Sequence, residues 1–373
     1  MNTSSIRACC ERRVQALAEG MRERGLRLVL LFDRDNIRYF TGFRVNRVVS
    51  SVLAVSVDEG PAHIVARLDF DRARQDGWID RIIPFAEDTE NPLEVVRPLL
   101  AGGVRRIGIE RDAVTLAQAG SLEALAPQRM ELVDVRGLTA GLRLVKSEEE
   151  LDALRRAASI ASEVIERVRQ AIRPGAREGD LSSWAEHLIG EAGGEGASFE
   201  PFLMSGKNAW LPQRFSSRKA LADGELVLFD MGAIVDGYCS DITRTFAVGE
   251  VSREQEHLFE VARAAHDAGI AAVRPGVPAG DVDHAARSVI EAAGLGERFP
   301  HLTGHGIGVS SHEAPIADRG APTVLEPGMA LTVEPGVYVP GIGAARIEDM
   351  VAVTAEGCEV LTSAPRGLRP GEV

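Results

Sequence analysis

The chain has 373 residues, more than a single hydrophobic core usually supports, so two domains are expected. Hydrophobic residues make up 45% of the sequence, enough for an ordinary globular core. The formal net charge of −13 argues against nucleic acid or an anionic membrane as the main partner.

Location can also be predicted from the sequence. Apolar runs such as residues 26–32 are too short to cross a bilayer, and the basic residues near the N-terminus are not followed by the apolar core of a secretory signal. The four cysteines, at positions 9, 10, 239 and 358, show neither CxxC spacing nor a disulfide framework. These features predict a cytoplasmic protein with no membrane partner.

Short β-branched runs alternate with helical patterns up to about residue 140. The predicted elements are a helix marked by Val14, Leu17 and Met21, a strand over residues 28–32, a hairpin over 51–57 and 62–66, and strands over 105–109 and 131–135. This alternation predicts a self-contained, smaller α/β domain over residues 1–141.

One loop of this first domain carries aromatic and basic groups. Phe43 and Arg44 follow a turn-like Thr41-Gly42 pair, and Arg47 lies close behind. Because binding residues are often carried on loops, Phe43 and Arg44 are candidate substrate contacts. Solvated loop residues would give the same pattern.

The second domain, predicted over residues 142–373, opens with a helix signal. Ser147 followed by Glu150 is a capping box, and the amphipathic helix that follows is predicted to stop at Arg173-Pro174-Gly175. Its apolar stripe consists of Leu151, Leu154, Ala158, Ile165, Val168 and Ile172.

An internal repeat organises this second domain. Residues 172–181 recur in altered form at 273–282, and each copy leads into a helical pattern ending at Ala-Gly. Further on, a turn and an apolar strand end at Asp230 in one copy and at Glu334 in the other, and each copy then supplies a second carboxylate. Two pseudo-symmetric halves would bring two carboxylates each to a shared centre.

The predicted centre holds four carboxylates and one imidazole: Asp230, Asp241, His305, Glu334 and Glu348. Four negative charges balance two dications, and oxygen ligands with one imidazole suit two Mn²⁺ ions first, with Co²⁺, Fe²⁺ or Zn²⁺ as alternatives. A water molecule between two such ions would ionise near neutral pH. A single acidic residue at a strand end is usually only a cap, but matched positions in a repeat favour metal binding.

Three further residues are candidates beside this centre. His312 is predicted to donate a hydrogen bond to a substrate oxygen that becomes negative in the transition state. Arg346, close to Glu348, is predicted to orient the carboxylates or to bind an anionic substrate group. His301 is a candidate substrate contact or support for the ligands, and ordinary packing would equally explain it.

At these motifs the sequence resembles the pita-bread metallopeptidases, in the branch of Xaa-Pro dipeptidase (prolidase), aminopeptidase P and creatinase. The resemblance covers essentially the whole chain. The matching stretches are Asp230-Met-Gly-Ala, Asp241-Ile-Thr-Arg-Thr, His301-Leu-Thr-Gly-His305-Gly, His312-Glu, Glu334-Pro-Gly-Val-Tyr338 and Arg346-Ile-Glu348-Asp.

The resemblance implies an α/β (α+β) fold in which a smaller N-terminal domain precedes a pseudo-twofold pita-bread domain. It implies that Asp230 holds one metal ion, that His305 and Glu334 hold the other, and that Asp241 and Glu348 bridge them. It further implies proton transfer by Glu334, a metal-bridging hydroxide that attacks the bond preceding proline, and a homodimer.

One position departs from the family. These peptidases typically carry a Pro-His pair before the first metal strand, and here the pair is Pro212-Gln213. Glutamine can exchange hydrogen bonds with a substrate but cannot become charged. From the matching motifs an Xaa-Pro dipeptidase or aminopeptidase is the leading hypothesis, and Gln213 is the reason to consider a non-peptide enzyme on the same scaffold. The alternatives are a non-peptide hydrolase or lyase, resembling ectoine hydrolase or a sulfonium-propionate lyase, and a binding protein without catalysis.

Overall fold

A computed structural model describes residues 3–46, 50–86, 92–100, 104–125, 130–212, 215–369 and 371–372. The chain forms two compact units, Met1–Arg143 and Leu144–Val373. No helix in these described ranges is both long enough and apolar enough to cross a membrane. All four cysteines are free thiols.

The first unit is a six-stranded mixed sheet flanked by helices. Its elements are α1 (Thr3–Glu23), β1 (Leu28–Leu31), α2 (Arg34–Thr41), β2 (Ser51–Ser56), β3 (Gly60–Ala66), α3 (Phe70–Asp76), β4 (Ile82–Phe85), β5 (Arg106–Ile109), α4 (Leu116–Leu125), β6 (Glu131–Asp134) and α5 (Arg136–Leu144). The strand order is β4-β3-β2-β1-β5-β6, and β2 with β3 forms the predicted antiparallel hairpin. The predicted helix and strands of this region are confirmed.

The second unit contains two similar halves. The first consists of α6 (Glu148–Arg169), α7 (Glu178–Glu191), β7 (Phe202–Ser205), β8 (Glu225–Met231), β9 (Ile234–Val235), β10 (Tyr238–Cys239) and β11 (Ile242–Val248). The second consists of α8 (Arg253–Ala272), α9 (Ala279–Ala292), β12 (Gly304–Gly306), β13 (Glu313–Ala317), β14 (Ala330–Val333), β15 (Gly336–Val339), β16 (Gly343–Arg346), β17 (Asp349–Val353) and β18 (Cys358–Val360).

Helix α6 begins as predicted and ends early. The Ser147 hydroxyl accepts from the Glu150 amide while the Glu150 carboxylate accepts from the Ser147 amide, which completes the capping box. The α-helix ends at Arg169 rather than next to Pro174, because the amides of Ala171 and Ile172 bond three residues back and tighten the last turn.

The halves follow the predicted repeat. Each has a helix pair joined by a turn with a left-handed glycine, Gly175 with φ 88° and Gly276 with φ 84°. An antiparallel strand pair follows, β8 with β11 in one half and β14 with β17 in the other. The sheet orders are β11-β8-β7 and β13-β12-β14-β17-β18.

The two strand pairs are joined at the ends that carry the acidic residues. The Glu348 amide donates to the Thr243 carbonyl at 3.1 Å, and the Arg346 amide donates to Thr245 Oγ1 at 3.0 Å. These bonds connect β11 of one half to the β16–β17 turn of the other. The carboxylates of the two halves therefore lie close together in one buried region.

Candidate metal centre

The five predicted ligands lie together in the second unit, each on or next to a strand. Asp230, Asp241, His305 and Glu348 are buried, and Glu334 is nearly so. Two of the possible three-residue ligand groups include all five residues, with ligand atoms within 4.8 Å of one another in each group: Asp230, Asp241 and Glu348, and His305, Glu334 and Glu348. The groups share Glu348, as expected for two adjacent cations.

Three of the carboxylates have a buried oxygen without a hydrogen-bond partner. Asp230 Oδ1, Asp241 Oδ1 and Glu348 Oε1 are buried and have no hydrogen-bond partner. A buried polar atom without a partner costs free energy, and three such oxygens in one place are unusual in a native protein. Divalent cations would satisfy all three, so the residues present fit the predicted ions.

His305 presents a nitrogen suited to a metal. Its Nδ1 lies 3.0 Å from the Gly306 carbonyl oxygen, so in the neutral ring Nδ1 carries the proton and Nε2 has the lone pair that a metal ion needs. Nε2 lies 3.3 Å from Glu334 Oε1 and 3.7 Å from Asp241 Oδ2. Gly304 and Gly306 flank the histidine because a β-carbon at either would collide with neighbouring backbone.

The electrostatics of the cluster reflect crowded negative charge. Burial raises the pKa of Asp230 to about 6, against the opposing effect of Arg346. Burial and the neighbouring carboxylates raise the pKa of Asp241 and of Glu348 well above the usual range. Burial acts in the same sense on Glu334, but the combined effects of His305, Arg346 and His301 outweigh burial and lower the Glu334 pKa to about 2.

Arg346 binds the carboxylate cluster from one side. Nη2 contacts Asp230 Oδ2, and Nε donates to Thr243 Oγ1 at 3.1 Å. Thr243 Oγ1 in turn donates to Glu348 Oε2 at 2.6 Å. The guanidinium is itself buried, so these contacts match the predicted role of orienting the carboxylates.

His301 lies behind Arg346 in a continuous chain of hydrogen bonds. Arg346 Nη1 donates to the Tyr338 hydroxyl at 2.9 Å, and that hydroxyl lies 2.9 Å from His301 Nε2. His301 Nδ1 lies 2.7 Å from the Leu302 carbonyl oxygen, which makes Nδ1 the donor and Nε2 the acceptor. Burial lowers the His301 pKa and keeps the ring neutral.

His312 lies at the exposed edge of the cluster. Its ring stacks on that of His305, with centroids 3.7 Å apart and planes 16° apart. One group of possible ligands, Asp241, His305 and His312, includes it. The ring therefore sits beside the ligands with an exposed edge that a substrate can reach.

Three candidates remain, Gln213, Phe43 and Arg44. Gln213 falls outside the described residues. Phe43 and Arg44 belong to the first unit, where the Phe43 ring is buried, meets His63 edge-to-face and lies under the Arg72 guanidinium. This packing alone accounts for Phe43, and its contact with a substrate stays a prediction, as does that of the exposed Arg44.

Comparison with known proteins places these residues in a family. Residues 152–355, which include all five predicted ligands, match Metallopeptidase family M24. Residues 13–145 match the Creatinase/Prolidase N-terminal domain. The chain belongs to metallopeptidase family M24. The predicted resemblance is confirmed, and so is the two-part α/β fold class.

Relatives of known name align with this M24 metallopeptidase over nearly its full length. A putative dipeptidase of Bacillus subtilis, YkvY, is 36% identical over 362 residues, covering 95% of this chain and 99% of its own. An Xaa-Pro dipeptidase from Bacillus anthracis superposes with a TM-score of 0.89 at 33% identity, over 96% of this chain and 99% of its own. The prolidase from Pyrococcus horikoshii OT3 gives 0.89 at 29% identity with the same coverage.

Sequence reasoning missed two residues of the site. Thr243 joins Arg346 to Glu348, and Tyr338 joins Arg346 to His301. A signal for Thr243 was present, because it follows Asp241 by two positions and alternate residues of a strand share a face. Tyr338 lies on β15, four residues beyond Glu334, and no local pattern indicates its partners.

Proposed function

We propose that this M24 metallopeptidase is an Xaa-Pro dipeptidase with two divalent metal ions. The observation that carries the proposal is the trio of buried, unpartnered oxygens on Asp230, Asp241 and Glu348 beside the free Nε2 of His305. The prolidases and the Xaa-Pro dipeptidase among the similar structures support the substrate class.

The two groups that share Glu348 support a bridging role for that residue, and the family resemblance supplies the rest of the ligand assignment. Asp230 would hold one ion, His305 and Glu334 the other, and Asp241 and Glu348 would bridge. Manganese, a homodimeric assembly and a cytoplasmic location are further parts of the proposal. Two bound dications would supply Lewis acidity and lower the pKa of a water molecule between them.

The chain's own residues would divide the remaining work. Glu334, to which the family resemblance assigns proton transfer, would accept a proton at its carboxylate from the attacking water and pass it to the leaving nitrogen. His312 donates to the carbonyl oxygen of the scissile bond as negative charge develops there. Arg346 holds Asp230 and Thr243 in place, and the Tyr338–His301 chain fixes Arg346.

A panel of peptides tests the substrate. Purified protein loaded with Mn²⁺ or Co²⁺ is incubated with Xaa-Pro dipeptides, with Xaa-Ala and Pro-Xaa dipeptides, and with Xaa-Pro-Xaa tripeptides, and released amino acids are measured. Turnover confined to Xaa-Pro dipeptides supports the proposal. Turnover of the tripeptides instead would indicate an aminopeptidase, and release from none of them would overturn peptide hydrolysis.

The non-peptide alternative has no supporting observation among the described residues. Gln213 motivated it, and the two named relatives with known substrates are an Xaa-Pro dipeptidase and a prolidase. A screen of small amides and amidines beside the peptide panel would detect such an activity. The intact ligand set argues against a binding protein that has lost its chemistry.

A further inference from the structure

A second buried cluster lies directly behind the proposed bridging ligand Glu348. Glu348 directly precedes β17 and contacts Thr243 on the side of the metal centre, whereas Asp349, the first residue of β17, contacts Arg244 on the other side. The Asp349 side chain is 0% exposed. A carboxylate taken wholly out of water requires compensating partners, and those partners identify what Asp349 does.

Asp349 is surrounded by donors from three other parts of the second unit. Oδ1 accepts from Arg244 Nη2 at 2.7 Å and from Thr362 Oγ1 at 2.6 Å. Oδ2 lies 2.9 Å from Arg366 Nε and 3.2 Å from His266 Nε2, as ion-pair contacts without hydrogen-bond alignment. The carboxylate thus joins β11, α8 and the C-terminal segment.

Arg244 connects this cluster to the backbone of Glu348. Its Nη1 donates to the Glu348 carbonyl at 2.6 Å, and its Nη2 also donates to the Ala364 carbonyl at 2.7 Å. The side chain is 1% exposed, so no water can substitute for a lost partner. One planar guanidinium therefore fixes both the carbonyl of Glu348 and the side chain of Asp349.

The two sides of the strand are linked in parallel. On the metal side, Thr243 Oγ1 donates to Glu348 Oε2; on the far side, the adjacent Arg244 binds Asp349. Two neighbouring residues of β11 thus bind Glu348, which directly precedes β17, and Asp349, its first residue, one on each face. Such a double linkage limits rotation of the backbone that carries the Glu348 carboxylate.

We propose that Asp349 is a positioning residue which, through Arg244, holds Glu348 in the geometry that binds the metal ions. This inference rests on the proposed metal centre, and neither Asp349 nor Arg244 would touch an ion or a substrate. Outer partners that orient a ligand commonly change metal affinity by about 10- to 100-fold when removed. Loss of Asp349 would also leave the buried Arg244 charge uncompensated directly behind a cation site.

The cluster reaches the surface through Arg366. That side chain is 33% exposed and lines a cavity of about 510 Å³ together with Arg263, Asp267 and Thr362. Arg263 lies in the same cavity but is paired with Glu260 at 2.5 Å. The two arginines can therefore be compared: Arg366 contacts Asp349 and also the exposed Asp267 at 3.2 Å, whereas Arg263 is paired with Glu260.

The experiment compares Mn²⁺ affinity, measured by calorimetry, with the melting temperature of the metal-free protein. For Asp349→Asn the Mn²⁺ Kd should rise about 10- to 100-fold. For Arg366→Gln it should rise about tenfold, the lower end of that range. Arg263→Gln should leave it unchanged. The positioning role predicts that Arg366→Gln raises the Mn²⁺ Kd. If only the net charge near the cation site mattered, removing a positive charge would strengthen cation binding and lower the Kd.

Each result decides the inference. An unchanged or lower Kd for Arg366→Gln overturns it, even if Asp349→Asn does not fold, because Arg366 is partly exposed and its loss is tolerable. A drop in melting temperature with unchanged Mn²⁺ Kd in both variants assigns the cluster a purely structural role and also overturns it. If the unaltered protein binds no Mn²⁺, the proposed function falls and the inference with it, whereas normal binding with unaffected variants overturns the inference alone.

Discussion

The ring of His312 stacks on the ring of His305, with centroids 3.7 Å apart and planes 16° apart. His305 points its Nε2 into the carboxylate cluster, and His312 covers it from the exposed side. Burial and the neighbouring His305 lower the pKa of His312. A neutral imidazole next to the cluster can donate one hydrogen bond without adding a positive charge that would repel cations.

The stack leads to the first prediction, which concerns His312. Both His312→Ala and His312→Phe should lower kcat for Xaa-Pro dipeptides by about 10²- to 10³-fold, because neither side chain can donate to the developing oxyanion. The Mn²⁺ Kd should stay within about twofold, as expected if His312 is not an essential ligand. Phenylalanine keeps the stacking, so full activity in His312→Phe would show that stacking rather than donation is what matters.

The second prediction concerns the ion pair between Lys146 and Glu313, which holds the hairpin that carries His312. Lys146 Nζ lies 2.8 Å from Glu313 Oε1, and the side chains are only 1% and 9% exposed. Glu313 directly follows His312. Lys146→Met should lower kcat at least about tenfold, since small displacements of catalytic groups are costly, while Mn²⁺ affinity is retained.

Removing one partner of a buried ion pair destabilises the protein because the other charge is left buried without a partner. The assay temperature must therefore lie well below the melting temperature of the variant. Lys146→Arg restores the charge and should recover part of kcat. The comparison variant is Arg319→Met, which removes an exposed pair with Glu291 and should leave both kcat and stability nearly unchanged. A loss of stability in Lys146→Met without any loss of kcat would contradict the positioning role.

The third prediction concerns metal removal. Four acidic side chains share one buried cluster, so the metal-free protein bears uncompensated repulsion. Chelation should lower the melting temperature, and adding Mn²⁺ should restore it. At a Mn²⁺ concentration 100 times the Kd, binding should raise the free energy of unfolding by about 2.7 kcal/mol. In Glu348→Gln the metal-free protein should melt higher than the unaltered one, by about 2–4 °C for each kcal/mol of relieved repulsion.

Thr243 can still donate to the side-chain amide oxygen that Glu348→Gln introduces, so the substitution changes charge more than shape. The same variant should show a much smaller rise in melting temperature on adding Mn²⁺. If Mn²⁺ stabilises Glu348→Gln as strongly as the unaltered protein, Glu348 is not a ligand. Scanning calorimetry at fixed pH gives the melting temperature of both proteins, each with and without Mn²⁺.

The sequence predicts the four acidic residues of the candidate ligand set because a repeat gives each of them a counterpart. Asp230 and Glu334 end equivalent strands, and their local patterns match even though their residue types differ. Asp349 could not be recognised in the same way. Its partners Arg244, Thr362, Arg366 and His266 come from separate elements, and only the closing of the two halves brings them together.

The burial of Phe43 could not be predicted from the sequence either. Phe43 was predicted on a loop, and it does follow α2, yet its ring is enclosed by residues from β3 and α3. Local patterns report polarity and turns but not which distant side chain covers a residue. Conversely, the capping box at Ser147 depends on residues three positions apart, and it was predicted correctly for that reason.

The last prediction concerns pH and a histidine of the first unit. His63 is buried in β3 with its Nε2 2.8 Å from Ser51 Oγ, and burial, with a smaller effect from Arg72, lowers its pKa to about 4. In the unfolded chain the imidazole has its ordinary pKa of about 6.5 and takes up a proton as the pH falls through that value. The unfolded state therefore binds more protons than the folded state between about pH 6.5 and pH 4, so stability falls as the pH falls through that window.

The loss attributable to His63 should reach about 3 kcal/mol by pH 4 and should be absent above pH 7. His63→Gln keeps a neutral hydrogen-bonding group near Ser51 and cannot titrate, so the difference in unfolding free energy between the two proteins isolates this contribution from that of the carboxylates. The measurement is urea unfolding of both proteins at pH 7.5, 6, 5 and 4. Parallel curves with a constant difference would show that His63 is protonated as readily when folded as when unfolded, and a difference that grows as the pH falls is the expected result.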